Sequence, residues 1–176
     1  MFLQSVPAPD GRFHDITVKV SRSGVDVRHR KGYLSLAPSV SKDAKARLAA
    51  LDRVMVSPVE ASALGLSAHL EPTSATEGTI VVRIDPSVLT WTLNKGVHEG
   101  AIDIVIAQSQ PDGKYFKIKE TTANLAADDE RYRSMMEDGF TVSSKYKLQP
   151  DAYRLHVVVS DVPSQSVGSL IIPVKR

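Results

Sequence analysis

The chain has 176 residues, of which 22 are Lys or Arg and 20 are Asp or Glu, and it has no cysteine. The absence of cysteine excludes disulfides, thiolate metal ligands and cysteine nucleophiles. The net charge of +2 gives little long-range attraction to nucleic acid or anionic lipid. No apolar run approaches the ~20 residues of a spanning helix. We therefore expect one large domain with no nucleic-acid partner and no membrane insertion. Its apolar core should be large enough to fold without disulfides or a structural metal.

The first third of the chain predicts two strands and a helix. Residues 13–20 alternate between polar and apolar side chains, as a half-buried strand does, and residues 25–28 predict a shorter strand. After Ser41, which is a good N-cap residue, apolar side chains recur at helical spacing. We predict a helix over 42–53, and Pro58 prevents its extension.

From residue 64 onward, short alternating segments separated by Gly, Pro and Asp turns predict an antiparallel β-sandwich. The predicted strands cover 66–70, 79–84, 89–93, 101–108, 115–121, 140–148, 153–160 and 169–174. A tight hairpin is expected at Gly113, and helical spacing over 128–138 predicts a short inserted helix. Pro173 cannot donate to a ladder, so the last strand should lie at an edge. The last two strands should line the core with Leu155, Val157, Val159, Leu170, Ile172 and Val174.

The sequence carries no recognisable catalytic or metal-binding pattern. It lacks the Gly-x-Ser-x-Gly turn of many serine hydrolases, and its five histidines are scattered singly without zinc-ligand spacing. His156 is out of phase with the apolar Leu155 and Val157, which predicts that it lies on the less buried side of its strand. We therefore predict a protein that is not an enzyme and uses no metal or cofactor.

One basic run is a candidate surface for binding a partner. It consists of Arg28, His29, Arg30 and Lys31. These residues would suit phosphate or an acidic protein surface. Four residues make few ionic contacts, however, and an exposed connection or a seam between modules explains them more simply.

Three aromatic residues are candidates for stacking on carbohydrate. They are Trp91, Tyr115 and Tyr132. Trp91 is the only tryptophan, and it shares its phase with Leu89 and Leu93. That apolar pattern favours a core position for the indole over an exposed sugar platform.

Several segments together resemble one protein family. They are 10–20 (DGRFHDITVKV), 27–33 (VRHRKGY), 148–155 (LQPDAYRL), 157–161 (VVVSD) and 167–170 (VGSL). The combination is similar to the von Willebrand factor A-related domain proteins of acidobacteria. In that family the last strand of an A-type domain runs through an Arg-rich segment into an immunoglobulin-like domain.

The resemblance implies a division of the chain into three parts. Residues 1–36 would be the remnant of the last A-domain strand with its connector, 37–60 a helical connector, and 61–176 an immunoglobulin-like or fibronectin-type-III-like β-sandwich. It also implies an extracytoplasmic or secreted location. The start of the chain has no signal-peptide pattern, which leaves open whether Met1 is the native start. The Asp-x-Ser-x-Ser metal motif of an A-type domain does not occur in this chain, so such a metal is expected upstream.

These observations favour a non-catalytic module that supports an A-type domain or mediates protein–protein interaction or adhesion at the bacterial cell exterior. Its partner would be another protein or its own upstream A-type domain, and an edge strand would also allow a homodimer. A carbohydrate-binding sandwich is the first alternative. A hydrolase with scattered residues such as His98, Glu99 and Asp103 is the second.

Overall fold

The chain divides into two compact units, residues 1–39 and 40–176. The structure is a computed structural model that describes residues 13–15, 32–34 and 41–174. In the first unit, strand β1 (Phe13–Asp15) pairs antiparallel with β2 (Gly32–Leu34). The strand predicted over 13–20 is therefore confirmed for its first residues. Residues 16–20 and the strand predicted over 25–28 lie outside the described residues.

The second unit begins with helix α1 (Ala44–Met55), which is the predicted N-terminal helix. The helix begins later than predicted because its N-cap is Asp43 and not Ser41. The Asp43 carboxylate accepts a hydrogen bond from Lys45 N at 3.0 Å, so it satisfies one of the free amides of the first turn. The buried side of the helix is formed by Leu48, Leu51 and Met55.

Two antiparallel sheets follow, which confirms a mainly β fold and is consistent with a sandwich. The first sheet has the order β3 (Leu66–Pro72), β4 (Glu77–Ile84), β8 (Phe140–Lys147). The second has the order β10 (Val167–Pro173), β9 (Arg154–Asp161), β6 (Val97–Ser109), β7 (Tyr115–Ala127). The short β5 (Thr92–Asn94) also pairs with β6, and helix α2 (Asp129–Asp138) connects β7 to β8.

Each strand predicted from residue 66 onward has a counterpart, and two of them differ clearly from the prediction. The segment predicted over 89–93 begins with Leu89, the C-cap residue of a 3₁₀ helix (Pro86–Val88), and its strand starts only at Thr92. The strand predicted over 115–121 continues to Ala127 because it pairs with β6 along its whole length. The hairpin at Gly113 is confirmed, and its φ of +84° suits glycine.

An apolar core lies between the two sheets. Alternate residues of β4, β6 and β9 fill it. They are Ile80, Val82, Ile84, Ile102, Ile104, Ile106, Leu155, Val157 and Val159. Leu170, Ile172 and Val174 pack against this cluster, so the predicted core positions of the last two strands are confirmed.

Helix α1 covers the outer face of the second sheet. Its apolar side chains pack on Val105, Ala107 and Val158, which point away from the sandwich core. Strands β6 and β9 are therefore buried on both faces. The prediction that His156 lies on a less buried side is wrong for this reason, and its side chain is only 4% exposed.

A buried ion pair fixes α1 to the sheet. Arg47 Nε and Nη2 donate to the two carboxylate oxygens of Asp103 at 2.8 and 3.2 Å. Thr122 Oγ1 of β7 donates to the same carboxylate. The hydrogen bond to Asp103 raises the pKa of the Arg47 guanidinium, which therefore stays charged. The pair thus connects the helix with β6 and β7.

His156 is a neutral imidazole buried on the face of the second sheet that α1 covers. Its Nε2 lies 2.8 Å from Ser109 Oγ, and the ring of Tyr115 meets it edge-on at 5.0 Å. Burial, and to a smaller extent the charge of Arg154, lowers the pKa of His156. The folded protein therefore resists protonation at this site.

We expect the stability of the domain to fall in mild acid because of His156. Below about pH 6.5 the unfolded chain takes up a proton at this imidazole and the folded chain does not. The free energy of unfolding should then fall by up to about 1.4 kcal/mol per pH unit. Urea unfolding at pH 7 and pH 5.5 measures this slope. His156→Gln should flatten it and the exposed-residue control His69→Gln should not; equal slopes in all three proteins would contradict the expectation.

The outer edge of β10 is closed by the chain segment that precedes β3. Ser169 N donates to Ala61 O at 2.9 Å, and Ile171 N donates to the carboxylate of Glu60 at 2.7 Å. Pro173, in the same phase, has no N–H to satisfy. The prediction that Pro173 marks an edge strand is confirmed, since β10 pairs only with β9 in its sheet. The backbone N–H groups of Ser169 and Ile171 on that edge are therefore not free to pair with another strand.

Candidate functional site

A groove of about 460 Å³ opens on the outer face of the second sheet. Its floor is formed by β6 and β7, and its walls by the segment leading into β5 and by the turn between β9 and β10. None of its lining residues belongs to α1. The side chains that line it include Thr90, Thr92, Glu99, Ala101, Asn124, Ala126 and Pro163.

The groove exists because β5 and β9 pair with the same edge of β6. β5 pairs as far as Glu99, and β9 pairs from Ile102 onward. Gly100 and Ala101 between them have no strand neighbour on that side, although Val162 N donates to Ala101 O at 2.9 Å. The space above this interruption becomes the groove.

A single buried carboxylate joins the two walls. Asp161 is fully buried, and it accepts hydrogen bonds from Thr90 N at 3.2 Å and Thr90 Oγ1 at 2.7 Å. It also accepts from Ser164 N at 3.0 Å and from the Ser164 hydroxyl. Because Ser164 follows the wall residue Pro163, the two walls keep a fixed separation. An Asp three residues before a Ser is typical of turns that a side chain caps. This spacing is the sequence pattern from which the turn between β9 and β10 could have been predicted.

Two of the three aromatic candidates lie together beneath the groove. A Cβ on Gly100 would be 3.3 Å from Trp91 Cε3, so the indole supports the floor from the core side. Trp91 Nε1 donates to Pro86 O at 3.1 Å, and the Tyr132 ring meets the indole at 83°. The rings are perpendicular and do not form a flat stacking platform. Tyr115 lies elsewhere, beside His156.

His98 belongs to this aromatic cluster. Its ring stacks on Tyr132 with a centroid separation of 3.8 Å, and its Nε2 lies 2.8 Å from Asp129 Oδ1. These contacts fix the first turn of α2 against the beginning of β6. The three residues proposed for a hydrolase do not converge, since Glu99 lines the groove and Asp103 is bound to Arg47 under α1.

The remaining candidates for chemistry are placed as follows. Ser109 and His156 are in hydrogen-bond contact, but they are 2% and 4% exposed and lie on the side of the sheet that α1 covers. Among the described residues, no group of three His, Cys, Asp or Glu side chains could hold a metal ion. The basic residues Arg28, His29, Arg30 and Lys31 lie outside the described residues. No helix in the described part of the chain is long and apolar enough to span a membrane.

The second half of β7 presents an unpaired edge beside the groove. The Ala101 carbonyl faces β9, so the even-numbered residues of β6 face β7. Gly100 and Ile102 pair with Leu125 and Ala123, which therefore direct their backbone groups at β6. The residues of β7 that direct their N–H and C=O groups away from β6 are Glu120, Thr122, Asn124 and Ala126. No described strand pairs with them, and we call residues 120–126 the free edge.

The two halves of β7 differ in how well they resist pairing with another strand. Its first half contains Lys117 and Lys119 and a register shift opposite Ile106 and Ala107. Charges and bulges of this kind discourage strand addition. From Thr121 to the end of the strand there is no charge, no proline and no register shift. From Thr121 onward, the free edge therefore lacks the usual protection.

Comparisons with known proteins do not identify a family for this chain. A scan against protein-family models finds no match to this chain, and a search of curated proteins finds no significant match.

Proposed function

We propose that this protein is a non-catalytic immunoglobulin-like or fibronectin-type-III-like module that binds another protein by adding an extended segment of it to the free edge of β7. The observation that carries the proposal is the free edge itself. It is a regular strand edge, uncharged from Thr121 onward, next to an open groove with fixed walls. In strand addition, backbone hydrogen bonds supply affinity and neighbouring pockets supply specificity.

The strand order supports the finer part of the proposal. Three strands, β3, β4 and β8, oppose four long strands, β10, β9, β6 and β7, and the short β5. The chain crosses between sheets after β4, after β7 and after β8. Sandwiches of the immunoglobulin type use the same division and similar crossovers. The proposed location at the cell exterior, and support of an upstream A-type domain as one form of this role, rest on the resemblance to the von Willebrand factor A-related proteins.

The burial of the polar groups supports a binding role over catalysis. Asp103 and Asp161 are 2% and 0% exposed, and each accepts hydrogen bonds from neighbouring side chains. Such buried and hydrogen-bonded carboxylates stabilise a scaffold and are not open to a substrate. The groove itself offers Thr, Asn and Glu side chains and small apolar residues, which suit recognition of a peptide.

We expect Asn124→Pro to abolish most binding of extended peptides. The Asn124 N–H points away from β6, so proline at this edge position removes a donor for the partner strand and leaves the β6–β7 ladder intact. Peptides selected from a random displayed library on the 176-residue chain should lose about tenfold in affinity, the equivalent of one well-made hydrogen bond plus the steric block of the ring. Calorimetry or fluorescence anisotropy measures the change.

The control for this variant is Asn124→Ala, which removes the side chain and keeps the N–H; it should bind within about threefold of the parent protein. Methylating the peptide backbone amides that face the domain gives a second measurement without altering the protein, and it should weaken binding equally. Selected peptides that bind the Pro variant as tightly as the parent, and that tolerate N-methylation, would overturn the proposal. Thermal unfolding of both variants shows whether they are folded.

A further inference from the structure

We infer that the groove is a specificity pocket for a lysine or arginine side chain of the bound segment, and that Glu99 recognises its charge. The inference rests on the proposed function and names its partner more closely. The partner is an extended segment of a different protein with a basic residue at the position opposite Ala126.

Side chains at this end of the sheet form a row across the strands. Thr92 pairs with Glu99, and Glu99 pairs with Ala126. Directly paired residues share a face of a sheet, so all three point outward, on the face where Asp103 and Thr122 meet Arg47. A strand added to β7 extends this row by one residue, opposite Ala126.

The spacing of the row selects a long side chain. Strands lie about 4.8 Å apart, so the backbone of the added residue is roughly 10 Å from that of Glu99. Only the methyl group of Ala126 stands between them on this face. A four-carbon lysine stem or an arginine side chain spans this gap over Ala126, and shorter side chains do not reach the carboxylate.

Glu99 supplies the charge for this recognition. It is the one charged residue that lines the groove. Its side chain is exposed, and its described polar contact is a long hydrogen bond from Asn94 Nδ2 at 3.5 Å. The other lining groups are neutral, so no cation of the groove competes for this carboxylate. The charge of the pocket therefore complements a basic side chain.

The free edge of a second copy does not supply that basic side chain. In antiparallel edge pairing, the residue opposite Ala126 must itself direct its backbone at the partner. On the free edge these residues are Glu120, Thr122, Asn124 and Ala126, none of them basic. In one register Glu120 of the second copy would point toward Glu99. The chemistry of the row thus favours a different protein over a homodimer.

The test uses peptides that bind the intact chain through the free edge, as shown by their loss of affinity for Asn124→Pro. These peptides should share one Lys or Arg position. Replacing that residue by norleucine should weaken binding to the parent protein about threefold, the usual size of an exposed ion pair. The same replacement should leave binding to Glu99→Gln unchanged. A matched control, Glu71→Gln, removes an exposed carboxylate of β3 and should retain the threefold discrimination.

Two results would overturn the inference without touching the proposed function. In the first, edge-binding peptides show no preference for a basic residue. In the second, norleucine weakens binding to the parent and to Glu99→Gln by the same factor. Sedimentation equilibrium of the free chain supplies a further check: a dimer that Asn124→Pro dissociates would make a second copy the occupant and would overturn the choice of partner. A monomer agrees with the inference.

Discussion

Replacing Arg47 by Met should lower the free energy of unfolding by about 3 kcal/mol, because it leaves the charge of Asp103 buried without its partner. Methionine keeps most of the aliphatic length that packs beside the sheet, so the variant isolates the loss of the guanidinium. Asp103 is 2% exposed and would retain only Thr122 as a described side-chain donor. Urea unfolding monitored by circular dichroism gives the change directly.

A double variant separates the charge from the packing. Adding Asp103→Leu to Arg47→Met replaces both ions by apolar groups, and such replacements are often neutral or stabilising. The double variant should therefore recover at least half of the lost stability. Lys45→Met on the exposed side of the same helix serves as a control and should change little. An Arg47→Met loss below about 1 kcal/mol, or a double variant less stable than the single one, would contradict the argument.

Asp161→Ala should destabilise the domain by a similar amount and also weaken peptide binding. The change leaves the donors of Thr90 and Ser164 without their shared acceptor, and an unsatisfied buried donor costs about 1–3 kcal/mol. Some of these donors lie near the surface and can turn to water, so we expect a total near 3 kcal/mol. The walls of the groove would also lose the link that sets their separation.

The matched control for this change is Asp112→Ala. Asp112 caps the hairpin before β7 in a similar way, accepting from Lys114 N at 3.1 Å, but it is exposed and far along the strand from the groove. It should alter neither stability nor peptide affinity appreciably. If Asp161→Ala unfolds at the same urea concentration as the parent protein, the carboxylate does not hold the walls as described. Peptide affinity measured below the unfolding transition separates loss of shape from loss of fold.

The elements of the second unit were predictable where side-chain periodicity is strong. Ile80, Val82 and Ile84, and likewise Ile102, Ile104 and Ile106, alternate because one face of each strand meets the core. The second half of β7 was missed because Ala and Asn have low strand propensity, and its pairing with β6 overrides that preference. The start of α1 was misplaced because Ser41 and Asp43 are both good caps, and sequence alone does not rank them.

The candidate site was much less predictable than the fold. His156 was placed wrongly because strand parity identifies the two faces of a strand, and only the packing of α1 decides that both are buried. The groove arises from two strands that share one edge of β6, a long-range arrangement with no local signature. The apolar phase of Trp91 predicted a core position, but its role under Gly100 depends on a neighbour nine positions later in the chain that only pairing brings near.

Glu60 and Pro173 close the outer edge of β10, and this limits the size of any assembly that forms through the second sheet. A sheet with two unpaired edges can pair with a further molecule at each edge, and repeated pairing of this kind builds fibres. Under the proposed function, this sheet gains a partner strand at β7 and none at β10. Strand addition through this sheet would then end after a single step and yield complexes of defined size.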